Sequence, residues 1–161
     1  MTKEIPLTRG YVALVDDEDF DWLAQWRWKA KGPGAFVYAV RGVSTPVGGR
    51  CLYMHRLIIS APEGSQVDHI NRNPLDNRRL NLRVCDASQN AANKVHKRTK
   101  PGLKGVRLHP TKKQWKAVIE WRGKRYEKFA RTAEDAAKKY DEMARELHGE
   151  FAVLNFPSEA A

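Results

Sequence analysis

A chain of 161 residues has length for one ordinary domain or for two small ones, each with a thin core. Twenty-nine Lys plus Arg against 19 Asp plus Glu leave a formal net charge of +10, which predicts a polyanionic partner, nucleic acid before any membrane surface. No segment approaches the roughly 18 consecutive apolar residues of a spanning helix, and Met1 to Gly10 lack the apolar core of a signal peptide, so a soluble intracellular protein is expected.

The first fifty residues predict a β-rich extension: a strand pair over Ile5 to Val15, a short acid-capped helix over Asp16 to Trp28, and another strand over Phe36 to Val43. Trp22, Trp26 and Trp28 have the spacing of a buried helical face, which favours core packing over a base-stacking platform. Cys51 and Cys85 stand apart with no C-x-x-C pair, so both are expected as buried small apolar residues, with no zinc knuckle or disulfide. Val67-Asp68-His69 reads as a strand end, Asn73 to Asn77 as a turn, and Leu80 to Val84 as a returning strand. Asp86 with Gln89 then caps a helix.

Charge is uneven from there on. Asn93 to Pro101 hold four basic residues and no acid and read as a basic connector, so the boundary between modules is expected at residues 94–103. Gly102 to Arg131 carry ten basic residues against Glu120 and Glu127. Trp115, Ala117, Ile119 and Trp121 share one parity, Arg122-Gly123 supply a turn, and Lys124 to Phe129 return, with a shorter strand near Gly105 to Leu108. Ala133, Ala136, Ala137, Tyr140, Ala144 and Leu147 then recur at helical spacing, with Thr132 and Asp135 in capping positions and Gly149 past the end. The Ala stripe predicts a helix lying close against a three-stranded antiparallel sheet, whose opposite, basic face is left for nucleic acid.

The stretch from Met54 to Lys94 carries the chemistry. Hydrolysis of a phosphodiester requires an activated water, a Lewis acid for the leaving oxygen, and neutralisation of the charge that builds on phosphorus. A neutral histidine accepts a proton at cellular pH, which makes His69 the candidate base. Asp68 and Asn90, a carboxylate and an amide carbonyl, are hard oxygen ligands suited to Mg2+ or Mn2+. Asn81 is placed to orient the histidine.

The blocks H-R-L-I, V-D-H-I-N, D-N-R and N-L-R between Tyr53 and Lys94 resemble the HNH, or ββα-metal, endonuclease family in its phage and homing branch. The resemblance implies His69 as general base, Asp68 and Asn90 as ligands of a single divalent ion, and Asn81 as the orienting amide. It also places His55 and Arg56 among the catalytic residues, Arg56 gripping a phosphate near the cut. Asparagine at position 90, where many members have histidine, argues for a hard ion and against zinc.

Lys104 to Pro157 resemble the plant ethylene-response-factor (Apetala-type) DNA-binding domain, through G-V-R near Gly105, the Trp-bearing second strand, T-A-E-D-A-A, Tyr140-Asp141 and the ending L-N-F-P. That resemblance implies a sheet laid in the major groove of double-stranded DNA, with Lys104, Arg107, Trp115, Arg122, Lys124, Arg125 and Tyr126 as the contact set. Leu108, Thr111 and Glu120 depart from the plant pattern, so its base preference does not carry over.

The expected protein is therefore α+β: an N-terminal β-rich extension (1–50), a ββα-metal HNH core (51–93), the basic linker (94–103) and a DNA-holding domain of three strands and one helix (104–157). Its expected activity is site-specific cutting or nicking of DNA in the cytoplasm of a bacterial or phage-infected cell, with no obligatory protein partner. The alternatives are a DNA-binding transcriptional regulator with an inactive core and, less favoured, an RNA-binding protein.

Overall fold

A computed structural model describes residues 1–34, 36–46, 48–94 and 101–157. Two compact units divide the chain between Asp86 and Ala87. Both mix α and β, with four small antiparallel sheets and four α-helices among the described residues.

In the first unit, β1 (Thr2–Pro6) and β2 (Val12–Asp16) form a hairpin, and α1 (Asp17–Ala24) follows at once. Asp17, Glu18 and Asp19 occupy the first turn of α1, where the helix dipole favours negative charge. The helix stops at Ala24, and the Trp28 indole donates back to the Leu23 carbonyl at 2.9 Å. Trp26 and Trp28 are therefore not on the helix. Only Trp28 is buried, while Trp22 and Trp26 are exposed, which corrects the expectation of a buried tryptophan face.

β3 (Lys29–Lys31), β4 (Tyr38–Thr45) and β5 (Gly48–Tyr53) make a meander, followed by α2 (Met54–Ile58). β6 (Gln66–His69) then pairs with β7 (Leu82–Cys85), with Asp68 opposite Arg83 and His69 opposite Leu82. One apolar cluster joins these pieces: Ile5, Ala13, Val15, Leu23, Trp28, Ala39, Met54, Ile58 and Leu82. Removing the side chain of Leu23 or Met54, both fully buried, costs about 2–5 kcal/mol. The extension and residues 51–86 of the expected core thus form one unit, while residues 87–93 belong to the second. Cys51 is exposed and Cys85 buried, so only the second fits the expected packing role.

In the second unit, α3 (Ala87–Asn93) precedes β8 (Val106–Leu108), β9 (Trp115–Trp121) and β10 (Lys124–Ala130), which form a sheet in the order β10-β9-β8. α4 (Ala133–His148) starts at Thr132, whose hydroxyl accepts from the Asp135 amide at 3.0 Å. Ala136, Ala137 and Ala144 bring the helix close to Val106, Ala117 and Ile119. Gly105 has φ +69°, and a Cβ there would overlap the Tyr140 ring.

Buried Asp141 fastens the segment after α4. It accepts from the Asn155 backbone at 2.8 Å, the Asn155 amide at 3.1 Å and the Phe156 backbone at 2.8 Å. The Asn155 side chain also meets both the N–H and the carbonyl of Lys104. Residues 95–100 of the expected connector lie outside the described residues. The division falls ahead of them because α3 is held within the second unit: the Lys104 ammonium donates to the Ala92 carbonyl at 2.6 Å.

Candidate active site

β6 ends on Asp68 and His69, and α2 carries His55; all three side chains are buried. The His55 and His69 rings stand edge to face, 5.0 Å apart at 79°. Tyr38 of β4 lies 5.6 Å from His55 and 6.1 Å from His69, and Tyr53 of β5 lies 5.5 Å from His55. The site is thus two imidazoles held by two phenol rings, with Asp68 at its edge.

Burial governs the protonation of both histidines. It drives His55 down to about 3, with the neighbouring His69 and Arg56 adding to the effect. His69 is also pushed below its ordinary value by burial, against which Asn77, Asp68 and Asp76 favour the charged ring. Both rings are neutral at cellular pH, the state a proton acceptor needs. Tyr38 is raised by burial and by Tyr53 and Asp68, so it remains a phenol.

The Asp68 carboxylate accepts from Arg83 Nε at 2.9 Å and Nη2 at 2.8 Å, across the β6–β7 ladder. The loop between these strands is fixed by amides and acids. Asn81 accepts from the Asn71 N–H at 2.9 Å and donates to the Asp76 carbonyl at 2.7 Å. Asp76 holds Arg78 through two 2.7 Å contacts and accepts from the Asn71 amide at 2.8 Å. The amide beside His69 belongs to Asn77, fully buried, whose own N–H donates to Leu14 of β2. Asn81 orders the loop, and Asn77 is the one against the ring.

Arg56, expected on a phosphate, is turned the other way. Its guanidinium donates to the carbonyls of Ser65 at 2.7 Å, Pro62 at 2.8 Å and Ala61 at 3.4 Å, closing the loop between α2 and β6. Asn90 lies on α3, within the second unit.

Strand alternation sorts the expected DNA contacts into two sets. Trp115 and Tyr126 pack toward α4, Trp115 on Val106, Ala136 and Ala137, and Tyr126 on Ile119 and its neighbours. Neither lies on the outer face, because large apolar groups gain more under the helix than in water. Lys124 pairs with Trp121 at the turn and shares that parity. Lys104 holds Asn155 and the end of α3. Arg107 and Arg125 are on the outer face and exposed, with Lys116, Glu120 and Glu127. Arg122, with φ +49°, sits in the β9–β10 turn with its guanidinium 5.4 Å from the Trp121 ring centroid.

Residues 53–92 match a family model described as HNH endonuclease. Over 152 residues the chain is 37% identical to an uncharacterized HNH endonuclease of Acanthamoeba polyphaga mimivirus, a likeness covering 91% of this chain and 76% of that protein. The chain belongs to the HNH endonuclease family. Protein 3.8 of Escherichia phage T7 is also similar, 33% identical over 92 residues, covering 56% of this chain and 76% of that protein. No solved structure matches significantly. Membership implies a nuclease, a hydrolase acting on DNA, and among the described residues no helix is long and apolar enough to cross a membrane.

HNH nucleases typically use a divalent metal ion. Beside His69 the oxygen donor is the Asp68 carboxylate, which is paired with Arg83.

The sequence alone did not single out Tyr38, Tyr53, Asn77 or Arg83. Arg83 was within reach, since a hairpin centred on the Asn73–Asn77 turn sets the R of N-L-R opposite the D of D-H.

Proposed function

We propose that the protein is a DNA endonuclease of the free-standing, mobile kind that cuts or nicks at a recognised site. The observation that carries this reading is the buried, neutral His69 at the end of β6, next to the Asp68 carboxylate. In the proposed reaction His69 takes the proton from the attacking water. Asn77 lies beside the ring and favours its charged form, while His55 and Tyr38 pack against it. Asp68 is the first-unit ligand of a Mg2+ or Mn2+ ion, which when bound polarises the phosphate and stabilises the leaving oxygen. Asn90 is proposed as a metal ligand on its residue type alone. The second unit is proposed as an Apetala-like DNA holder acting through the outer face of β8–β10, with Arg107 and Arg125 foremost.

Supercoiled plasmid incubated with the protein and Mg2+ or Mn2+ should give nicked or linear product, and EDTA should stop it. His69→Ala should lower cleavage by at least about a hundredfold, the usual worth of a positioned base, while duplex binding is retained. Undiminished cleavage by that variant would remove His69 from the role. The Asp68–Arg83 pair favours a second reading, a DNA-binding regulator with an inert core, because Arg83 competes with an ion for the carboxylate. Retention on DNA without cleavage in any divalent ion would establish it.

A further inference from the structure

On the outer face of the second unit's sheet, Lys116, Val118 and Glu120 of β9 stand against Phe129, Glu127 and Arg125 of β10. Glu127 is at the centre of this face. Its Oε1 lies 2.6 Å from Arg125 Nε and 3.3 Å from Lys116 Nζ. Glu120 is the direct cross-strand neighbour of Arg125, yet the short contact is the one to Glu127.

A carboxylate in the middle of a face that meets a polyanion opposes association, and exposed ion pairs contribute little to stability. The geometry of the contact gives it another use. A guanidinium held at Nε loses its freedom to rotate about the terminal bonds and presents its Nη1–Nη2 edge away from the anchor. That fork matches the O6 and N7 acceptors of guanine in the major groove.

We propose that Glu127 is a positioning residue for base reading: by holding Arg125 at Nε, it aims the guanidinium edge off the sheet toward a guanine of the bound duplex. The inference rests on the reading of this unit as a DNA holder and adds a residue that sets specificity. It separates two quantities that a plain phosphate contact would move together. Glu127 weakens sequence-independent attraction and sharpens discrimination.

The test uses the full chain in EDTA, so that no DNA is cut, with a pool of random duplexes carried through rounds of binding selection. Wild type should enrich sites with an invariant guanine. Glu127→Ala, which removes the acceptor for Arg125 Nε, should bind unselected duplex as tightly as wild type or more tightly at matched salt, while its preference at that guanine falls about tenfold, within the usual worth of a bidentate contact. Arg125→Ala should lose the same preference. Glu120→Ala, which removes the same charge from the same face, should keep it. Glu127→Ala with full preference, or loss of preference in Glu120→Ala to the same extent, overturns the proposal. Wild type that binds duplex without any base preference also overturns it, whereas wild type that does not bind duplex refutes the DNA-holding reading beneath it.

Discussion

Acidification should loosen the second unit through His148. Its side chain is 7% exposed in the last turn of α4, with its ring 4.8 Å from that of Trp121. Burial, helped by the Lys104 ammonium, pushes it from an ordinary 6.5 down to about 4. A histidine depressed on folding binds more protons when unfolded, so its stabilising contribution is complete above 6.5 and is lost as pH falls toward 4. Between pH 7 and pH 5 those two values correspond to a loss of stability on the order of 2 kcal/mol. Urea unfolding followed by tryptophan fluorescence at both pH values measures it, with His148→Phe as the comparison, since phenylalanine keeps the ring against Trp121 and cannot titrate. His55, pushed down to about 3 in the first unit, adds a loss that both proteins share. The part absent from His148→Phe should be near the figure above. Equal losses in the two proteins, or stability that rises with acid, would show the reasoning to be mistaken.

Arg56→Ala should cost about 2–3 kcal/mol, the range for charged hydrogen bonds to carbonyls, while the folded fraction cleaves at the wild-type rate in single turnover. A variant of full stability with no cleavage would instead mean a phosphate grip. Gly105→Ala should destabilise the second unit by about 3 kcal/mol, because it combines a left-handed φ with overlap on Tyr140; a thermal melt within a degree of wild type would contradict this. Under native conditions a thiol reagent should titrate Cys51 quickly, whereas Cys85, buried and raised to about 11, should react only on unfolding. Two fast thiols per chain would be inconsistent with the packing.

Regular patterns with a local cause were legible in the sequence. The period of α4, its Thr132 cap and the two-strand placement of Asp68 and His69 follow from spacing and turn residues alone. What escaped depends on tertiary choice. The tryptophan spacing fitted a helix through residue 28, but the chain leaves α1 at Ala24 and folds the Trp28 indole back onto it. Asparagines at 71, 73, 77 and 81 are equivalent by composition, and only the fold shows that Asn77 reaches His69 while Asn81 ties the loop. Arg56 sits in a family motif, yet three carbonyls nearby claim its donors. Basic residues at 104, 107, 124 and 125 read alike until alternation and caps assign them different duties.

The loop that carries Asn77 does not stand by itself. The N–H of Leu14 donates to the Leu75 carbonyl, the Leu14 carbonyl receives the Asn77 N–H, Asp16 accepts from the Arg79 N–H, and Asp19 clasps the Arg79 guanidinium at 2.7 and 2.8 Å. Within the residues matched by the family model, 53–92, the turn that carries Asn77 therefore takes its position from residues 14–19, which lie outside that match. A piece cut at Tyr53 would carry the asparagine without the backbone that seats it.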